Sequence, residues 1–101
     1  MISISKPKFS LGQVVATPAA LEALKESGQS AWDFIARHAS GNDWGDVCPA
    51  DAEANEQSLI DGSRLLSVYS TTKGEKLWVI TEAADDRGNR SATTILLPSD
   101  Y

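Results

Sequence analysis

Two apolar segments joined by a short turn decide the fold class. They are Arg64–Thr71, RLLSVYST, and Lys76–Glu82, KLWVITE, and the turn Thr72–Glu75 between them reads TKGE. Both segments are rich in aliphatic, β-branched and aromatic residues, which favour strands. Gly74 in the turn accepts the positive φ that tight hairpin connections need. The pattern predicts two antiparallel strands.

A further strand follows a polar loop over residues 83–89. Ser91–Leu97 places Thr93 and Ile95 on one side and their neighbours on the other, and Pro98 closes the segment. This period of two is typical of a strand with one buried face. The last third of the chain therefore predicts a three-stranded antiparallel β-meander.

Three helices are predicted before the meander. The first begins at Pro18, a favourable first helical residue, and ends at Gly28. The second is capped by Ser30 and is expected to form an αα-hairpin with the first. The third runs from Pro49 to about Ile60. Its apolar face is thin, so it is expected to be a half-exposed surface helix.

The N-terminal part adds a short, weak strand. Phe9–Ala16 contains enough apolar and β-branched residues for a strand, and Gly12 makes it weak or an edge strand. Residues 1–8 precede it as an arm that is either ordered or flexible. The 101 residues therefore predict a single α+β domain with its helices on one face of the sheet.

The amino-acid composition limits the classes of protein to which this chain can belong. The chain has 9 Lys and Arg against 14 Asp and Glu, a formal net charge of −5, and one Cys. An internal disulfide is excluded, and no apolar run approaches the roughly 20 residues of a membrane span. The basic residues are scattered, which disfavours direct nucleic-acid binding. We expect a cytoplasmic protein without membrane association.

Catalytic and metal chemistry has few candidate residues. The single His38 and the single Cys48 flank a Gly-rich loop, but the acidic residues around Cys48 oppose thiolate formation. His38, Asp43, Asp46 and Cys48 do not have the spacing of a usual zinc site. No phosphate-binding glycine motif is present. We expect no catalytic residue, metal or cofactor; the alternative is a small metal-dependent or thiol enzyme centred on His38 and Cys48.

The acidic segment between His38 and Arg64 is the most informative feature. It contains six carboxylates and neither Lys nor Arg, which creates a local negative field or simply a solvated face. Trp44 lies within this segment, on a loop, and exposed Trp is a common interface anchor. Its alternative role is to fold back against the core. The candidate partner-binding residues are Asp43, Trp44, Asp46, Asp51, Glu53, Glu56 and Asp61.

Three stretches of the chain carry a resemblance to known proteins. Leu11–Leu21, Trp44–Asp46 and Ser91–Pro98 resemble a group of small proteins of bacterial plasmids, integrative elements and prophages. That group has no established activity, so the resemblance implies a bacterial setting rather than a mechanism. Small acidic proteins of mobile elements often block a host defence complex by protein contact or by imitating the charge of DNA.

The leading hypothesis is a non-enzymatic, acidic interaction protein of a mobile genetic element. It would inhibit a host defence or nucleic-acid-processing complex, as an anti-CRISPR or anti-restriction protein, by binding its basic surface. The expected partner is a larger protein or nucleoprotein complex rather than free nucleic acid. A homodimeric accessory protein, paired through the first strand or the edge of the last strand, is a further alternative.

Overall fold

A mixed four-stranded sheet forms the centre of the computed structural model, which describes residues 7–101. Its strands are β1 (Gln13–Ala16), β2 (Leu65–Ser70), β3 (Lys76–Thr81) and β4 (Ala92–Leu96). The spatial order is β1-β4-β3-β2. β2 and β3 pair antiparallel, as do β3 and β4, whereas β1 runs parallel to β4. The fold class is α+β.

The predicted three-stranded antiparallel β-meander accounts for only part of the sheet, because the N-terminal strand adds a parallel pairing that makes the sheet four-stranded and mixed. β1 joins the sheet with Val14 opposite Thr93, so β4 is a central strand and its edge is not available for dimerisation. Leu96 is buried as well as Ile95, although successive side chains of a strand point to opposite faces of the sheet. The predicted alternation of buried and exposed side chains therefore describes only part of β4.

Three helices precede β2, as predicted: α1 (Pro18–Ser27), α2 (Ala31–Ala39) and α3 (Pro49–Asp61). The Thr17 hydroxyl accepts a hydrogen bond from the amide of Ala20 and caps α1. Ser30 and Asp33 form a reciprocal capping box on α2. These local contacts fix where the helices begin.

The hydrophobic core lies between α1, α2 and one face of the sheet. α1 contacts β4 and α2 contacts β3. The core cluster consists of Ala20, Leu24, Phe34, Ile35, Tyr69, Leu77, Val79 and Ile95. The two helices therefore share one face of the sheet.

β1 is shorter than the predicted strand because Gly12 interrupts it. Gly12 has φ +63°, and a Cβ at this position would overlap the carbonyl of Arg90. Phe9 lies before this turn and packs edge-on against His38. Of the predicted N-terminal arm, residues 1–6 lie outside the described residues, and the Lys8 amide donates to the Ala39 carbonyl at 2.9 Å.

Candidate functional site

Helix α3 is held beside β2 by one buried amide side chain. Asn55 is 3% exposed, and its Nδ2 donates to the Leu66 carbonyl at 2.6 Å. Its Oδ1 accepts from the Leu66 amide at 3.0 Å. Asn55 thus pairs with β2 as the backbone of a neighbouring strand would, which fixes the position of α3 along the sheet edge.

The loop before α3 forms hydrogen bonds with the next part of the β2 edge. The Val68 amide donates to the Trp44 carbonyl at 3.0 Å, and the Asp46 amide donates to the Val68 carbonyl at 2.7 Å. Gly45 between them has φ +74°, and a Cβ there would overlap the Val68 carbonyl. The loop approaches β2 this closely because Gly45 has no side chain.

Trp44 is buried, so the expectation of an exposed anchor is wrong. Its side chain is 7% exposed and packs with Phe9 and His38, with ring centroids 6.5 and 5.9 Å away. The indole Nε1–H donates to Oε2 of Glu56 at 2.8 Å. The large apolar side chain gains more from the core than from water, and its one polar atom reaches a carboxylate of α3.

Asp43 is paired with a cation from α2. The Arg37 guanidinium donates to Asp43 through Nε, at 2.7 Å, and through a terminal nitrogen, at 3.3 Å. This hydrogen bonding lowers the pKa of the Asp43 carboxyl below its usual range. The Tyr69 hydroxyl donates to the Asp43 carbonyl at 2.6 Å, and burial raises the pKa of that hydroxyl. Asp43 therefore orders the loop.

Asp46 is also paired, with Lys76 at the start of β3, at 3.2 Å. The expectation of six uncompensated carboxylates is therefore wrong for Asp43 and Asp46. Their cations, Arg37 and Lys76, belong to other elements and reach the loop only in the folded chain. Both pairs are partly exposed and contribute little to stability.

The other four carboxylates lie on α3 and are exposed: Asp51, Glu53, Glu56 and Asp61. We call these four residues the α3 acidic surface. Within residues 7–101, none of the four forms a salt bridge. Hydrogen bonds from Ser63 lower the pKa of Asp61, whose Oδ1 accepts the Ser63 amide at 2.9 Å. The surface therefore carries negative charge without a cation in contact.

An apolar residue lies within the α3 acidic surface. Glu53, Glu56 and Ile60 follow each other at spacings of three and four residues and therefore share one side of the helix. Ile60 is 81% exposed. This side of α3 offers two carboxylates and one large aliphatic group to a partner.

Arg90 holds the C-terminal end of α3, a role that sequence analysis missed. Its side chain is 5% exposed and donates to the carbonyls of Ser58, Ser63 and Glu82 at 3.2, 2.7 and 2.9 Å. A cation is favourable at a helix C-terminus, where carbonyl groups lack intrahelical partners. Arg90 thereby ties the end of α3 to the loop after β3.

His38 and Cys48 occupy different environments. His38 is fully buried, with Nδ1 2.6 Å from the Ser67 hydroxyl and Nε2 2.8 Å from the Thr81 hydroxyl. Burial, with a smaller effect from Arg90, lowers the pKa of His38 to about 4. Cys48 is exposed. Both ring nitrogens of His38 are engaged, so neither is directed at a thiol or a metal.

The described residues contain no cluster of three or more His, Cys, Asp or Glu arranged to hold a metal ion. The alternative enzyme site gains no geometric support from these residues. Among residues 7–101, no helix has the length and apolar character needed to cross a bilayer.

Comparison with protein-family models, with curated proteins and with solved structures gave no match. No family assignment follows from these comparisons.

Proposed function

We propose that this protein binds a basic surface of a larger protein or nucleoprotein complex through the α3 acidic surface. The observation that carries the proposal is that Asp51, Glu53, Glu56 and Asp61 are exposed on one helix with no salt bridge to any described residue. Unpaired carboxylates on a fixed element attract a cationic surface over a long range and accelerate encounter.

The anchoring of α3 supports the proposal. Asn55 and Arg90 hold the helix at its middle and its end, and Trp44 holds the Glu56 carboxylate. Because these groups are already fixed in the free protein, less conformational entropy is lost on binding. Trp44 acts in this proposal as a buried support.

Asp43 and Asp46 have a secondary role in the proposal. Each already has a cation partner, Arg37 or Lys76, so a new partner would have to compete for it. Because these cations offset their charge, the α3 acidic surface makes the contacts with the partner. Ile60 adds an apolar contact beside Glu53 and Glu56.

The proposed setting is inhibition of a bacterial host defence or nucleic-acid-processing complex, of the anti-CRISPR or anti-restriction type. The exposed carboxylates of α3 supply negative charge of the sign that such complexes bind as phosphate in their basic channels. The resemblance to small proteins of plasmids, integrative elements and prophages supports this setting by analogy only.

The test is capture from a bacterial lysate on the immobilised protein, followed by elution with a salt gradient. We expect a nucleic-acid-binding complex that elutes at moderate salt, because screening weakens contacts between exposed charges. The combined variant Asp51→Lys, Glu53→Lys and Glu56→Gln, in which position 56 keeps an acceptor for the Trp44 indole, should lose this complex while circular dichroism shows an unchanged fold.

A matched control makes the same kinds of change at three exposed carboxylates away from α3: Glu22→Lys, Glu26→Lys and Glu75→Gln. Both triple variants change the formal net charge by the same amount, so only the position of the charge differs. The control should retain the complex. Retention of the complex by the α3 variant, or equal loss from both variants, contradicts the proposal.

A further inference from the structure

The two edges of the sheet differ in how they are protected. At β2, Asn55 occupies the backbone groups of Leu66, and the Trp44–Asp46 loop occupies those of Val68. An edge covered in this way cannot add another strand. β1 forms the opposite edge.

The outer side of β1 carries backbone groups that point away from the sheet. The amides of Gln13 and Thr17 donate to carbonyls of Ser91 and Ile95, on the β4 side. Backbone direction alternates along a strand, so Val14 and Ala16 direct their N–H and C=O groups outwards. Within the described part of the chain, β1 pairs with β4 alone.

The edge strand itself carries no charged residue, and the carboxylate next to it is that of Asp100, which accepts a hydrogen bond from the Thr17 hydroxyl at 2.7 Å. The thirteen residues from Phe9 to Leu21 include no Asp, Glu, Lys or Arg, although 23% of the chain is charged. Val15 is 39% exposed. Exposed edges are commonly protected against pairing by short length, by Lys, by an inward-pointing charge or by Pro within the strand. Gln13–Ala16 is short, with four residues, but contains no Lys, no inward-pointing charge and no Pro.

We propose that β1 is an interface with a second copy of this chain, paired antiparallel about a two-fold axis. In the register that uses both outward residues, Val14 of each copy pairs with Ala16 of the other and exchanges backbone hydrogen bonds with it. Val15 then lies opposite Val15 at the axis, as a non-hydrogen-bonded pair with Cα atoms about 4.5 Å apart. Such an isologous contact closes on itself and gives a dimer.

The distribution of charge favours a second copy as the occupant. Each chain has a formal net charge of −5, which opposes self-association. The α3 acidic surface, however, lies beside β2, at the edge opposite β1. Pairing through β1 keeps the two acidic helices at opposite ends of an eight-stranded sheet, where their repulsion is weakest. The interface does not depend on the proposed function of α3.

The first experiment is cross-linking at the two-fold axis. Val15→Cys is introduced together with Cys48→Ser, which removes the exposed native thiol. The proposed Cα separation lies within the range that a disulfide bridges, so mild oxidation should give a covalent dimer. The control Ile60→Cys, also with Cys48→Ser, places a thiol on an exposed position of α3, beside the opposite edge of the sheet, and should remain monomeric on a non-reducing gel.

Light scattering on a dilution series provides the second readout, which needs no cysteine. The wild-type protein should show a mass of twice 10.8 kDa. Val15→Lys should reduce the measured mass to that of the monomer, because like charges would face each other at the two-fold axis. Ile60→Lys should leave the dimer intact. A monomeric wild-type protein, a dimer that Val15→Lys does not dissociate, or no cross-link at position 15 overturns the proposal.

Discussion

The indole Nε1–H of Trp44 donates to Oε2 of Glu56 over 2.8 Å, which joins a buried side chain to an exposed helix. Trp44 packs against Phe9 and His38 on its other sides. One residue thus connects the core to the α3 acidic surface. The position of the Glu56 carboxylate is set by core packing.

Trp44→Phe should lower the free energy of unfolding by about 2 kcal/mol, because it removes a hydrogen bond to a charged acceptor and some buried volume. Combined with Glu56→Ala, the double variant should lose less than the sum of the two single losses. We expect a coupling energy of about 1 kcal/mol from chemical denaturation of all four proteins. Strictly additive losses would show that the hydrogen bond contributes nothing.

Asn55→Ala should destabilise the protein by about 3 kcal/mol, because it leaves both the amide and the carbonyl of Leu66 without their partner. It also uncovers part of the β2 edge, so aggregation on heating should increase. Thermal unfolding with light scattering measures both effects. Gln57→Ala, on the exposed side of the same helix, should change stability by less than about 0.5 kcal/mol.

Gly45→Ala and Gly74→Ala form a matched pair, because both glycines have positive φ. Nothing lies within 4 Å of a Cβ built on Gly74, so its substitution should cost only the left-handed strain, about 1 kcal/mol. At Gly45 the Cβ would overlap the Val68 carbonyl, and we expect a loss of about 3 kcal/mol or more. Equal losses in denaturant unfolding would contradict the close approach of the loop to β2.

His38 should make the protein sensitive to mild acid. Its pKa is about 4 in the folded state and 6.5 as the ordinary value. Between these values the unfolded state binds more protons, so stability is fully present above pH 6.5 and falls as the pH drops towards 4. The loss from this group is on the order of 3 kcal/mol.

NMR titration of the His38 ring and denaturation at several pH values check this prediction. A His38→Gln variant, although less stable, should lose the part of the pH dependence that lies between 4 and 6.5. A ring that titrates near 6.5 in the folded protein would contradict the burial of His38 between the Ser67 and Thr81 hydroxyls.

The helices could be predicted because their signals are local. Thr17 with Pro18, the Ser30 cap and Gly28 each act within a few residues, so sequence spacing is sufficient. The β2–β3 hairpin is local in the same sense. These parts of the fold depend little on contacts with the rest of the chain.

The errors concern contacts between distant parts of the chain. β1 pairs with a strand about eighty residues later in the sequence, and no local pattern specifies that partner. The ion pairs of Asp43 and Asp46 draw Arg37 and Lys76 from other elements. The loop composition around Trp44 predicted exposure, whereas tertiary packing buried the side chain.

Only part of the candidate site could be predicted, because its remaining contacts also join distant parts of the chain. The acidic residues of α3 are visible as a run without Lys or Arg, and they are exposed, as a surface helix requires. The residues that hold the helix in place, Asn55 and Arg90, give no signal of their own. An Asn in a polar helix and an Arg after a loop are ordinary surface residues until the fold buries them.

The most direct test of the central claim is competition by duplex DNA for the complex captured on the immobilised protein. If the α3 acidic surface occupies a basic nucleic-acid channel, duplex DNA should release the complex, and Glu56→Gln, which keeps an acceptor for Trp44, should lower the amount of DNA needed. A complex that stays bound at saturating DNA, with the same retention on the wild type and the Asp51→Lys, Glu53→Lys, Glu56→Gln variant, would contradict the claim.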